Sequence, residues 1–217
     1  MYERFVDVVV PVSGTREAEM AELLENTNRH VNIALVNEMA VFCHELGIDL
    51  WESIRAAETK PFGFDAFRQG PGVGGHCIRI DPNYLSHQVR TLGYQFRFVE
   101  PAEKVSNRMP AYVVARVQEV LNEVSKPLRG SQVVVLGPTY KPDIADDRET
   151  PATAVIRNRR RLGAEVVAHD PHIDSFSVDG VDVAVVDDLD SELGSCDVAL
   201  LLFDTRDRMR HDNVRRL

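Results

Sequence analysis

The hydrophobic period of this chain changes once, at Gly130, and that change limits what it can fold into. Before Gly130 apolar residues recur at steps of three and four; after it, short β-branched runs alternate with helical stretches. From Glu17 to about Leu46 the residues Met20, Leu23, Leu24, Val31, Leu35, Met39, Phe42 and Leu46 follow the period of one helix face, and Gly47 stops it. Thirty residues is long for a globular helix, so it is expected in a core or at a subunit interface. Shorter helices are expected from Asp49 to about Glu58, from Pro82 to about Leu92 with Asp81 as N-cap, and from about Ala111 to Val124. Beyond Gly130, strands are read at Gln132–Leu136, Glu165–His169, Val181–Val186 and Asp197–Phe203. Thr150-Pro151 caps a helix reaching Leu162, and a short helical piece lies around Asp188 to Leu193. Strands separated by helices pair in parallel, because each crossover returns the chain to the same edge. The expected fold is α/β: an all-helical region over 1–104, a connecting helix over 105–128, and a small Rossmann-like domain over 129–217. Val6 to Val12 adds a β-like run ahead of the first helix.

Charge narrows the partners. Twenty-five Lys and Arg against 34 Asp and Glu give a formal net charge of −9, which argues against a nucleic acid or an anionic membrane as partner. The basic run Arg157 to Arg161 lies on a helix and reads as its solvated face. No apolar stretch reaches the ~20 residues of a membrane span, and Met1-Tyr2-Glu3-Arg4 opens no signal peptide, so a cytoplasmic protein is expected. Cys43, Cys77 and Cys196 are odd in number and widely spaced, which excludes a disulfide scaffold and shows no metal-ligand spacing. Cys43 and Cys196 read as core residues.

Cys77 is different. It follows glycines at 70, 72, 74 and 75, which let the backbone approach a ligand closely and present the next residue at a tight turn. A thiol near a helix N-terminus tends to be more nucleophilic, so Cys77 is a candidate nucleophile. Asp81, four residues on, is both the expected N-cap and close enough to act on a substrate held at Cys77. The glycine loop is not a dinucleotide fingerprint: no strand precedes it and the spacing is wrong. The later strand runs into Gly137-Pro138-Thr139 rather than GxGxxG.

Four ordered motifs then carry a resemblance. They are Ala18-Glu19-Met20 through Leu24-Glu25-Asn26; Arg29-His30-Val31-Asn32-Ile33-Ala34-Leu35-Val36-Asn37-Glu38; Gly70-Pro71-Gly72-Val73-Gly74-Gly75-His76-Cys77 with Asp81-Pro82; and Tyr140-Lys141-Pro142-Asp143 with Asp147-Arg148-Glu149. Together they resemble the UDP-glucose/GDP-mannose dehydrogenase family, in its UDP-N-acetylglucosamine or UDP-N-acetylmannosamine 6-dehydrogenase branch. The resemblance implies NAD as cofactor, a UDP-sugar as substrate, and a homodimer formed through helix 17–46. It also implies catalytic roles for Cys77, Asp81 and Asn26. Arg29, Gly72, Gly74, Lys141 and Arg148 are implied at the nucleotide sugar, a diphosphate suiting cations at 141 and 148. The residues themselves leave Arg148 equally readable as an ion pair with Asp146 or Asp147.

The sequence also departs from the family pattern. Residues 1–16 resemble only the linker after the family's NAD-binding domain, and the end from Asp204 to Asn213 is unlike the usual finish, so a truncated chain is expected, with the NAD site outside it. Glu22 stands where the family usually has a lysine that stabilises developing oxyanion charge; a carboxylate opposes both that charge and a thiolate. Arg79 and Pro138 replace a more usual proline and β-branched residue. Two functions follow as expectations: part of an NAD-dependent UDP-sugar 6-dehydrogenase, inactive in isolation, or a catalytically silent module that binds UDP-sugar and dimerises. A thiol hydrolase using Cys77 and His76 is a distant third, since adjacent residues cannot easily face each other.

Overall fold

The computed structural model describes residues 4–141 and 143–202. Four helices come first: α1 (Thr15–Glu45), α2 (Leu50–Glu58), α3 (Cys77–Arg90) and α4 (Val99–Glu123). The α/β part follows as β1 (Gln132–Leu136), α5 (Ala152–Arg161), β2 (Glu165–His169), β3 (Phe176–Val178), β4 (Val181–Val185), α6 (Leu189–Ser195) and β5 (Val198–Leu201). The mixed α/β architecture expected from the period change is present.

α1 ends where Gly47 adopts φ +67 and its N–H donates to the His44 carbonyl at 3.0 Å, with Ile48 N–H donating to Cys43 at 2.8 Å. Its buried residues are Asn26, Thr27, His30, Ala34, Asn37 and Cys43, a largely polar set packed against α3 and α4. Burial pushes the His30 pKa down, opposed by the Glu103 carboxylate and a backbone hydrogen bond at Val99. α2 is capped as expected, the Asp49 side chain accepting from Glu52 N–H at 3.0 Å.

α4 begins a dozen residues earlier than the expected helix and serves both halves. Its first turns, through Ala102 and Met109, lie in the helical bundle, whereas Val114, Val117 and Leu121 belong to the core built on β1, α5 and β2. That core includes Val133, Val135, Val155, Ile156, Ala168 and Phe176. Apolar residues on both faces of β1 explain its unbroken Val-Val-Val-Leu run, as a parallel strand covered on both sides requires.

The sheet order is β3-β4-β2-β1-β5. β1 pairs in parallel with β2 (Gln132 opposite Glu165) and with β5 (Val133 opposite Val198), and β2 pairs in parallel with β4. The chain winds one way from β1 to β2 and later returns to place β5 on the other side, so the crevice between β1 and β5 is a topological switch point. In open α/β sheets such crevices, at the carboxyl ends of the strands, hold ligands. The 137–150 loop leaves β1 there.

Three expectations are corrected. Val6 to Val12 forms no strand and is mostly exposed. β3 is an antiparallel strand that the alternation rule passed over; it joins β4 through Asp179 (φ +55) and Gly180 (φ +76), the Asp-Gly pair that favours a tight hairpin. The run Arg157–Arg161 is not uniformly solvated. Arg157 forks onto Asp179 at 2.5 Å and Arg160 donates to the Asp182 carbonyl at 2.7 Å, but Arg159 is wholly buried. Cys43 is buried as expected; Cys196 is only partly so, and that burial raises its pKa. β5 ends at Leu201, and Phe203, the expected end of that strand, lies outside the described residues; no helix among those described is long and apolar enough to cross a membrane.

Candidate active site

The loop from Gly70 to Gly75 is fixed at its start by Gly70 N–H donating to Asn37 Oδ1 at 2.9 Å. Its glycines are demanded by the second half of the chain. A Cβ on Gly74 would stand 2.7 Å from Tyr140 Cβ and 2.9 Å from Pro151 Cδ, and one on Gly75 would meet the Tyr140 ring at 2.7 Å. Gly74 and Gly75 therefore serve close packing of this loop against the β1–α5 connection. Asn37 and Tyr140 stand in the motifs that carry the resemblance and Pro151 at an expected helix start, but none was read as a site residue, because nothing in one dimension places 37, 70, 140 and 151 together.

α3 starts at Cys77 itself, so Asp81 is not an N-cap, as the Asp-Pro pair suggested. Pro82 lies inside the helix, where its missing N–H leaves the Ile78 carbonyl without its i+4 donor. The correction changes the chemistry. Cys77 and Asp81 become an i, i+4 pair on one face of α3, and that face meets a second i, i+4 pair, Glu22 and Asn26, on α1. Asn26 Nδ2 donates to Asp81 Oδ2 at 2.9 Å, which orients the carboxylate and leaves its other oxygen open. The Cys77 Sγ and carboxylate oxygens of Glu22 and Asp81 all lie within 4.8 Å of one another. This donor set, one sulfur and two carboxylates, could also hold a divalent cation. Cys77 is exposed, so a substrate carbon can reach it.

The remaining candidates are spread more widely. Arg29 lies on the exposed side of α1 and donates to Glu25 at 2.6 Å. Lys141 is exposed at the switch-point loop. Arg148 takes the ion-pair option, its Nε and Nη2 donating to Asp146 Oδ1 and Oδ2 at 2.9 and 2.7 Å. That guanidinium holds the Asp146 carboxyl down at about 2. Gly72 adopts φ +138 with Ser106 and Pro151 against it. Arg79, the residue unusual for the motif, donates to Glu149 at 2.7 Å and so ties α3 to the loop before α5.

The sequence signatures agree with this geometry. The central domain of the UDP-glucose/GDP-mannose dehydrogenase family matches residues 16–108, and the same family's UDP binding domain matches residues 134–215. The chain belongs to this family. A family relative, the UDP-N-acetyl-D-mannosamine dehydrogenase of Methanococcus maripaludis, is 37% identical over 81% of this chain and 40% of its own length. The enzyme of that name from Yersinia pestis is 34% identical over 94% of this chain and 49% of its own. Among solved structures, the UDP-D-ManNAc dehydrogenase of Pyrococcus horikoshii superposes with a TM-score of 0.79 at 30% identity, covering 94% of this chain and 46% of that one. The chain thus spans somewhat less than half the length of these relatives.

Proposed function

We propose that these residues are the helical and UDP-binding parts of an NAD-dependent dehydrogenase that oxidises C6 of a UDP-N-acetylhexosamine to the uronic acid. The observation that carries this reading is the packing of Cys77 and Asp81 on α3 against Asn26 on α1. NAD would take hydride in each of two oxidations. The described residues do not fit it, since β1 leads into Gly137-Pro138-Thr139 and a long loop rather than a glycine-rich turn opening a helix.

The chain's own part is covalent. The Cys77 sulfur adds to the C6 aldehyde carbon, the carbonyl π bond opens, and the oxygen takes a proton to give a thiohemiacetal. Once that adduct has been oxidised to a thioester, water adds, the C–S bond breaks, and carboxylate and thiol are released. Asp81, oriented by Asn26, stands where it can move the proton of that water. The UDP moiety is assigned to the switch-point loop, where Lys141 faces the diphosphate with Gly72, Gly74, Arg29 and Arg148 around the nucleotide sugar. On its own the 217-residue chain binds the nucleotide sugar without oxidising it.

Calorimetry with UDP-N-acetylmannosamine tests the assignment. Saturable binding is expected, weakened about tenfold in Lys141→Ala, the loss of one charge-assisted phosphate contact, and nearly unchanged in Cys77→Ala. Unchanged affinity in Lys141→Ala would remove that residue from the site, and absence of binding would sink the reading.

A homodimer through α1 forms the second part of the proposal. Met20, Val31 and Phe42 recur every eleven residues, as do Leu24, Leu35 and Leu46, and eleven residues make about three helical turns. The six side chains keep to one stripe, half-buried at Val31 and exposed at the other five. Met20, Leu24, Leu35, Phe42 and Leu46 are exposed, Leu24 at 68%. A helix whose inward face is polar and whose outward face is apolar has its partner outside the chain. Leu35→Asp combined with Phe42→Asp should convert a dimer to a monomer in sedimentation velocity with the circular dichroism intact. A dimer that survives both charges would place the contact elsewhere.

A further inference from the structure

Glu22 has no part in the oxidation proposed for this site, yet its carboxylate converges on the reacting sulfur. Cys77 Sγ and one carboxylate oxygen each from Glu22 and Asp81 lie within 4.8 Å of one another. Glu22 comes from α1, and Cys77 and Asp81 stand one turn apart on α3, so the packing of two helices fixes all three backbones. Only side-chain torsions remain to bring the three donor atoms onto one ion.

Charge and orientation point the same way. The neighbouring carboxylates are neutralised, Glu25 by Arg29 at 2.6 Å and Glu149 by Arg79 at 2.7 Å. Glu22 and Asp81 have no such cation among the described residues, and Asp81 accepts instead from the neutral Asn26 amide at 2.9 Å. Two negative charges beside a thiol repel each other and the thiolate alike, and a divalent cation among them turns that repulsion into attraction. The buried Asn26 holds Asp81 Oδ2 and leaves Oδ1 to bind, which is how an outer-shell residue orients a metal-binding carboxylate.

The donor set selects the cation. Magnesium and calcium take six or more oxygen ligands, whereas one thiolate with two carboxylates suits zinc, which binds four donors. At Zn–S and Zn–O bond lengths of about 2.3 and 2.1 Å, a tetrahedral ion keeps its donors about 3.5 Å apart. The exposed Glu22 side chain closes the remaining gap by rotation about its own bonds. We infer that Glu22, Cys77 and Asp81 form a three-ligand zinc site, with water in the fourth position, and that zinc bound there holds Cys77 out of reaction. Binding sends the thiol proton to solvent and forms an S–Zn bond, with no change of oxidation state. The sulfur electron pair that would attack a carbonyl carbon is then shared with the metal. The site itself stands on the three side chains, but its power to silence a dehydrogenase rests on the role proposed for Cys77.

The test uses the whole chain, with zinc chloride and magnesium chloride as probes. Saturating zinc should slow alkylation of Cys77 by iodoacetamide at least about tenfold, with the rate restored by EDTA, whereas magnesium should leave it unchanged. Calorimetry should show saturable zinc binding whose affinity rises with pH, because the thiol must lose its proton. Glu22→Gln separates the two effects of that carboxylate. Loss of a ligand should weaken zinc binding at least about tenfold, as disturbing a metal site's shells does, while alkylation without metal becomes faster. Glu25→Gln should alter neither. Cobalt in place of zinc should give a near-ultraviolet thiolate-to-metal absorption that Cys77→Ala lacks. Glu22 and Cys77 are exposed, so these replacements leave the helix packing alone. No protection by zinc, equal protection by magnesium, or unchanged zinc affinity in Glu22→Gln or Cys77→Ala would each overturn the site. Binding of UDP-N-acetylmannosamine without protection by zinc would remove the zinc site and leave the proposed function standing; protection without nucleotide-sugar binding would do the reverse.

Discussion

Replacing Arg159 with leucine should raise the melting temperature by something on the order of 5–10 °C. Arg159 is wholly buried on α5, and none of its three guanidinium nitrogens has a partner among the described residues. Burial alone pulls its pKa from the ordinary arginine value down to about 10, equivalent to about 3 kcal/mol against the charged form. Its position is the last of an i, i+3, i+4, i+7 set with Ala152, Val155 and Ile156, all buried in the core. Leucine completes that stripe and removes the charge. Exchanging buried charged groups for apolar ones of similar size commonly stabilises by about 1–4 kcal/mol. The pH dependence has a definite sign. Because the folded-state pKa is below the unfolded one, the penalty is fully present below about pH 10 and shrinks as pH rises from there toward the ordinary arginine value. The advantage of the leucine variant should therefore be constant near neutrality and fall above pH 10. A lower melting temperature in Arg159→Leu would mean that the guanidinium meets a partner outside the described residues.

Arg159 also marks how far the sequence could be read. Four arginines and an asparagine over 157–161 made α5 look like a solvated face, and only the tertiary fold decides which side of a helix so charged is covered. Elements with an unambiguous period were legible nearly to the residue: β1 and β2 were expected where they stand, and α1 differs by two residues at its start and one at its end. The β3–β4 hairpin was signalled by Asp179-Gly180 but masked by the rule that alternating strands and helices pair in parallel. Asp81-Pro82 shows the opposite failure. A valid local signature for a helix start was overridden, since α3 is already under way at Cys77 and packed against α1 and α4. At the candidate site, Cys77 and Asp81 could be picked out from spacing, yet their juxtaposition with Glu22 and Asn26 depends on two helices meeting across some 55 residues. The glycines were noticed for the right freedom but the wrong neighbour. Tyr140 and Pro151, which require them, lie about 65 to 80 residues away.

Glu22→Lys should speed alkylation of Cys77 by iodoacetamide at pH 7 by about tenfold. The thiolate is the reacting species, so any nearby charge acts on the rate through the fraction of thiolate present. In the native chain two carboxylates stand close by: Glu22 and Asp81 bring oxygens within 4.8 Å of the Cys77 sulfur, and neither has a cationic partner among the described residues. At about 5 Å in a water-like medium a unit charge contributes somewhat under 1 kcal/mol, and exchanging −1 for +1 doubles the effect. The resulting 1–2 kcal/mol corresponds to roughly a tenfold change in rate, and added salt should shrink it because the groups are exposed. Glu22→Gln removes one charge without adding another and should give about half the logarithmic gain, whereas Glu25→Gln, paired with Arg29 on the outer side of α1, should give none. Equal rates in Glu22→Lys and the native chain would show that residue 22 does not address the thiol in solution. The chemistry proposed for Cys77 builds negative charge on sulfur and then on the adduct oxygen, so the same substitution should favour both steps in any dehydrogenase that contains this chain.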